Sequence, residues 1–134
     1  MRYEQLEHTA DAMVKAHGKD LSERFENAAY AMFDQMTDAG TVEPKGEVKV
    51  VLEADSRERL LVDFLQELLF LHDVRNLVFS EFEVRTDGKT LEALARGEEF
   101  DSRKHPKKAL VKAITYHGLE FNDHEGSVTI LFDV

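Results

Sequence analysis

The chain has 134 residues, 43% of them hydrophobic, which matches one domain with one core, spanning 1–134. Its 17 basic and 27 acidic side chains leave a formal charge of −10, which argues against a protein that grips nucleic acid by itself, because that task needs a concentrated positive surface. The absence of cysteine excludes disulfides and thiolate metal sites, no signal-peptide pattern opens the chain, and no apolar run nears the roughly 20 residues of a membrane span; a cytoplasmic protein is expected.

In chain order, residues 12 to 17 form a weak strand candidate. Leu21, Phe25, Ala28, Ala29, Met32, Phe33 and Met36 recur at helical spacing, which predicts one amphipathic helix over 21 to 36. Asp20 and Glu23 fit a capping box at its start, and Gly40 and Pro44 follow its end. Val48, Val50 and Leu52 alternate as in a half-buried strand. Asp55 and Glu58 frame the start of a second helix, in which Leu60, Leu61, Phe64, Leu65, Leu68 and Leu69 give a broad apolar face. That breadth predicts the more buried of the two helices.

Beyond it, Phe82 and Val84 lead into Asp87-Gly88, a dipeptide suited to a tight hairpin, and Leu91, Ala93 and Ala95 return in a second strand. Leu110, Ile114 and Tyr116 share a parity, Gly118 offers a turn, and Val128, Ile130, Phe132 and Val134 form a last strand. The sum is an α+β fold: a two-layer sandwich with a mostly antiparallel or mixed sheet and two main amphipathic helices on one face.

Motifs for independent catalysis are missing: no phosphate loop, dinucleotide fingerprint, Gly-x-Ser-x-Gly elbow or His-Glu-x-x-His pair occurs. Histidines at 8, 17, 72, 105, 117 and 124 show no zinc-like spacing, and surface or structural roles fit them better, His8 and His117 being the leading exceptions. The run Arg103-Lys104-His105-Pro106-Lys107-Lys108 is a basic loop, read first as a solvated connector and second as a contact for phosphate or an acidic surface.

Two acidic places remain. Glu7-His8-Thr9-Ala10-Asp11 gathers ligand-capable groups just before a strand, and Asp133 points opposite to Phe132 and Val134 on the last strand. A terminal carboxylate beside Asp133 would add a second anion, and two such charges repel by on the order of 1 kcal/mol at about 4 Å in water, a penalty that a hard cation removes.

With these residues the chain resembles the archease family. Glu7 to Asp11 resembles its N-terminal signature, and Val111-Lys112-Ala113-Ile114-Thr115-Tyr116-His117 and Phe132-Asp133-Val134 resemble its two C-terminal ones, with both helices in the matching places. The resemblance implies an accessory activator, not a ligase: a protein that promotes guanylylation of an RtcB-type RNA ligase in tRNA splicing, permits multiple turnover and broadens nucleotide use. It implies a divalent metal, calcium in the first instance with magnesium or manganese as substitutes, held by Asp11, Asp133 and Val134. RNA and GTP are expected to be held by the ligase. Lys112 is assigned a partner or substrate contact, and His8 and His117 places beside the metal ligands or the partner. One departure is Ala12-Met13-Val14, where the family has glycine between two hydrophobic residues. The competing readings are an independent metal-dependent hydrolase, in which the same aspartates position a water, and an interaction scaffold with a structural metal.

Overall fold

The computed structural model describes residues 1–7 and 11–134. Seven strands form two antiparallel sheets. The first holds β1 (Tyr3–Leu6), β2 (Ala12–His17), β6 (Ala113–Asn122) and β7 (Ser127–Asp133) in the order β1-β2-β7-β6. The second holds β3 (Gly46–Glu53), β4 (Leu77–Thr86) and β5 (Thr90–Glu99) in the order β3-β5-β4. Two helices, α1 (Leu21–Met36) and α2 (Arg57–Arg75), join them: α1 packs on β4, β2 and β7, and α2 on β6 and β3. The expected α+β sandwich is therefore present. Its β layer is two sheets where the pattern alone implied one, because alternation reports which face of a strand is buried and not which strand is its neighbour.

α1 has the predicted bounds. Asp20 Oδ1 accepts from the Glu23 amide at 2.8 Å, while Glu23 Oε1 reaches back to the Lys19 amide at 3.0 Å, one residue beyond a standard capping box. α2 starts earlier than the leucine run and is capped by Ser56, whose Oγ accepts from the Arg59 amide at 3.1 Å; Asp55 is not the cap. Asn76, at φ 58°, closes it in the left-handed conformation. The expectation that α2 would be the more buried helix fails. Each buries eight residues, but α1 does so within 16 positions and α2 within 19. Alanines at 28, 29 and 31 let α1 sit close to strands of both sheets, whereas α2 leaves Phe70 and Val74 more than half exposed. Phenylalanines fill the space between: Phe25 stacks on Phe64 at 6.2 Å, and Phe33 meets Phe79 edge-on at 5.4 Å.

Two turn assignments change. At Asp87-Gly88 only Gly88 takes a positive φ, Thr86 pairs with Leu91, and Asp87 Oδ1 accepts from the Lys89 and Thr90 amides, so the loop is wider than a two-residue hairpin. Gly118 is not a turn but lies inside β6 at φ 75°. There Thr115 pairs with Leu131 and Glu120 with Thr129, so Tyr116 to Leu119 bulge against Ile130 alone. The real turn is at Asp123 to Gly126, with Gly126 at φ 77°. The parity read from Leu110, Ile114 and Tyr116 also fails: only Ile114 is buried, because Leu110 lies before β6 and Tyr116 opens the bulge.

Candidate functional site

Antiparallel pairing brings three distant segments to one end of the four-stranded sheet. In the β2–β7 ladder the last pair is Ala12 with Phe132, so Asp11 and Asp133 are the residues that follow it on the two chains at the same end of the sheet. In the β6–β7 ladder Ala113 faces Asp133, and the Lys112 amide donates to the Asp133 main-chain oxygen at 2.7 Å. The starts of β2 and β6 and the end of β7 thus share an edge. Phe132 is fully buried, Asp133 is exposed, and Val134 is half-buried against the core, as the alternation required. Asp11 is half-buried and Lys112 exposed.

The remaining candidates fall elsewhere. His117 is exposed within the β6 bulge, its amide donating to Thr115 Oγ1 at 3.0 Å, so it stands along the strand from the carboxylates and not among them. His8 lies outside the described residues. At Ala12-Met13-Val14, where the glycine of the family pattern is absent, the chain is regular strand paired to β7, and Met13 Cε lies under Gly118 of the bulge.

Among the described residues no cationic side chain is within 4.0 Å of Asp11 or Asp133. Nor do three His, Asp or Glu side chains gather anywhere among them in a metal-holding group. The donors at the edge are two carboxylates and main-chain oxygen. Oxygen-only donors suit calcium or magnesium over zinc or copper, and so small a set fills only part of a shell of 6–8 ligands. The residues present fit a hard cation whose coordination water or a partner completes.

A second polar cluster escaped the sequence reading. His105 is 1% exposed; its Nδ1 accepts from the Asp101 amide at 2.9 Å, which leaves Nε2 as the protonated nitrogen donating to Glu98 Oε2 at 2.9 Å. Lys104 bridges Glu98 and Glu43 at 2.8 Å each, and the Glu43 amide donates to Glu98 at 2.8 Å. Burial alone would raise the Glu98 carboxyl, but these donors outweigh it and hold it at about 2. The basic run is thus largely neutralised from within: Arg103 pairs with Asp101 at 3.2 Å, and only Lys107 and Lys108 stay exposed without a carboxylate among the described residues. The bland reading of that loop, a connector, is the one its geometry supports, with the addition that it is pinned. The Lys108 and Ala109 amides donate to the Met36 and Gln35 carbonyls at the end of α1. In sequence, the available signal was a histidine inside a basic run with one acidic residue, Asp101, four positions before it.

Comparison with known proteins decides the family. The model of the Archease protein family (MTH1598/TM1083) matches residues 3–134. The chain belongs to the archease family. It is similar to the protein archease of Sulfurisphaera tokodaii, 42% identical over 132 residues that make up 97% of this chain and 94% of that one. It also resembles the archease of Pyrococcus furiosus, 44% identical over 89% of this chain and 87% of the relative. The fold matches the solution structure of Methanobacterium thermoautotrophicum protein 1598, with a TM-score of 0.81 and 40% identity across 99% of both chains. Archease membership agrees with the resemblance carried by the three sequence signatures, each of which contributes a residue, Asp11, Lys112 or Asp133, to the carboxylate edge.

Proposed function

We propose that this archease-family protein is an accessory activator of an RtcB-type tRNA-splicing RNA ligase, acting through the edge formed by Asp11, Lys112, Asp133 and Val134. The observation that supports it most is the convergence of three family signatures, distant in sequence, on the β2–β6–β7 edge, where the exposed Asp133 of β7 and the exposed Lys112, just before β6, are joined by a main-chain hydrogen bond. In this reading Asp11 and Asp133 supply carboxylate oxygen, and Val134 main-chain oxygen, to a divalent cation, calcium first and magnesium or manganese as substitutes. When bound, that cation neutralises the two aspartates and offers positive charge to a phosphate in the ligase active site. Asp133 is held in register by the Lys112 amide, and the Lys112 side chain reaches outward to an anionic group of the ligase or its nucleotide. RNA and GTP are bound by the ligase, consistent with a chain of charge −10. No described helix is long and apolar enough to cross a membrane, and the proposed place of action is the cytoplasm.

The test is to mix the protein with its cognate RtcB-type ligase, GTP and a divalent metal, and to follow guanylylated ligase and turnovers of RNA joining. More guanylylated ligase and multiple turnovers are expected, with no joining by this protein alone. An unchanged single-turnover ligase would refute the role. Phosphatase, nuclease or nucleotide hydrolysis by the isolated chain would favour the independent hydrolase instead.

A further inference from the structure

Four strands lie at sheet edges, and three of them are guarded against pairing with another chain. β4 has its outward amides capped by α1: Val84 donates to Glu26 Oε2 at 2.8 Å and Thr86 to Ser22 Oγ at 3.1 Å. β6 is broken by its bulge, and β1 is only four residues long, with Gln5 bonded to Gln35 of α1 at 2.9 Å. β3 has none of these devices. It runs eight residues in unbroken register with β5, and among the described residues nothing bonds its outer main-chain groups.

The phase of that edge is fixed. Ala54 donates to the Lys89 oxygen at 2.8 Å, so Val48, Val50 and Leu52 likewise direct their main-chain groups to β5. The outward groups therefore belong to Glu47, Lys49, Val51 and Glu53, and Val51 exposes 64% of its surface among these charged neighbours. Two β3 edges set antiparallel across a two-fold axis at Val51 place Val51 on Val51 and Lys49, which within its own copy pairs with Glu92 at 3.2 Å, on Glu53 of the other copy, twice. On the inner face the same register sets Val50 on Leu52 and Val48 on Ala54, apolar on apolar. Glu47 falls opposite Asp55, beyond the end of β3, where it is already paired with Arg96 at 3.2 Å. Sliding toward the start of β3 by one pair puts Glu47 on Glu53, by two puts Lys49 on Lys49, and an odd slip in either direction sets inner faces against outer ones. Sliding the other way by one pair sets Val51 on Glu53 and gives up the central apolar contact.

We propose that β3 is a self-recognition edge through which two copies of this chain associate, joining their three-stranded sheets into one continuous antiparallel sheet across a two-fold axis at Val51. Such an isologous contact, one strand from each side, is small and so reversible. It is independent of the ligase reading.

The chain lacks cysteine, so Val51→Cys introduces a single thiol at an exposed position. Hydrogen-bonded antiparallel partners have Cα atoms about 5.5 Å apart, within the disulfide Cα range of roughly 4.4–6.8 Å, and their Cβ atoms, also about 5.5 Å apart, reach the roughly 3.5–4.5 Å of a disulfide by a small shift of the two strands. Under mild oxidation Val51→Cys is expected to form a disulfide dimer much faster than Glu47→Cys, whose two thiols lie far apart in this register. In sedimentation equilibrium the unaltered chain is expected to dimerise reversibly. Lys49→Glu should weaken association by about tenfold, and Lys49→Glu with Glu53→Lys should restore it. Monomer at every concentration up to ~1 mM, equal crosslinking of the two cysteine variants, or failure of the charge swap to restore association would each overturn the proposal.

Discussion

The Lys112 amide and the Asp133 carbonyl, 21 residues apart in sequence, meet at 2.7 Å across the β6–β7 ladder. That bond fixes the main chain of both residues at the sheet edge while both side chains face solvent. A side chain whose main chain is already pinned to a sheet is a better contact than one on a free loop, because less ordering remains to be done on binding.

The first prediction follows for Lys112. Lys112→Ala removes an exposed side chain and leaves the amide bond intact, so its melting temperature should stay within about 1–2 °C of the unaltered protein, as expected for a surface change. Ligase activation should fall about fivefold at equal protein, the equivalent of ~1 kcal/mol at a contact. A concentration series of the guanylylation assay, beside thermal melts, checks both.

Glu98 gives a pH prediction. Its folded carboxyl is held at about 2, below the ordinary value of 4.5, by the Glu43 amide, Lys104 and His105, which overcome the effect of burial. A depressed carboxyl contributes stability that is complete above the unfolded value and is lost as pH falls from about 4.5 towards about 2. Glu98→Gln should therefore lower the melting temperature at pH 7, and the gap from the unaltered protein should shrink steadily through that acid window. Thermal melts across pH read this directly; a gap constant with pH would mean that the network adds packing but no charge-dependent stability.

Thr37 offers a change in the other direction. It is fully buried at the end of α1, and among the described residues its hydroxyl has no hydrogen-bond partner. A buried hydroxyl without a partner costs about 1–3 kcal/mol, and Thr37 has extended backbone angles that valine adopts without strain. Thr37→Val should raise stability by ~1 kcal/mol, read as a shifted urea midpoint with an unchanged slope.

How much of this was legible in the sequence depended on the range of the signal. The bounds of α1 were readable because Asp20, Glu23 and the apolar stripe are all local, and the strand character of 12 to 17, 48 to 52 and 128 to 134 followed from alternation. β1 was missed because Tyr3-Glu-Gln-Leu6 is too short to show a period. Gly118 was misread because a positive φ serves a bulge as well as a turn, and only pairing with β7 tells them apart. The division into two sheets, and the pinning of His105 beneath Glu98, depend on partners in other elements. For the candidate site, the outward direction of Asp133 was legible from strand parity. That Asp11 comes to the same end of the sheet follows from the pairing of β2 on β7, which no local pattern contains.

Cation binding and activation should fail together if the carboxylate edge performs both. Asp11→Ala and Asp133→Ala each remove one of two carboxylates and should weaken calcium binding by at least about tenfold in calorimetry, while Val134→Ile, which keeps the main-chain oxygen, should be nearly silent. The most direct measurement is the fraction of guanylylated RtcB-type ligase produced with the unaltered protein and with Asp133→Ala, titrated over calcium. The edge account predicts that Asp133→Ala needs about tenfold or more calcium to reach the same fraction. Superimposable titrations would contradict it.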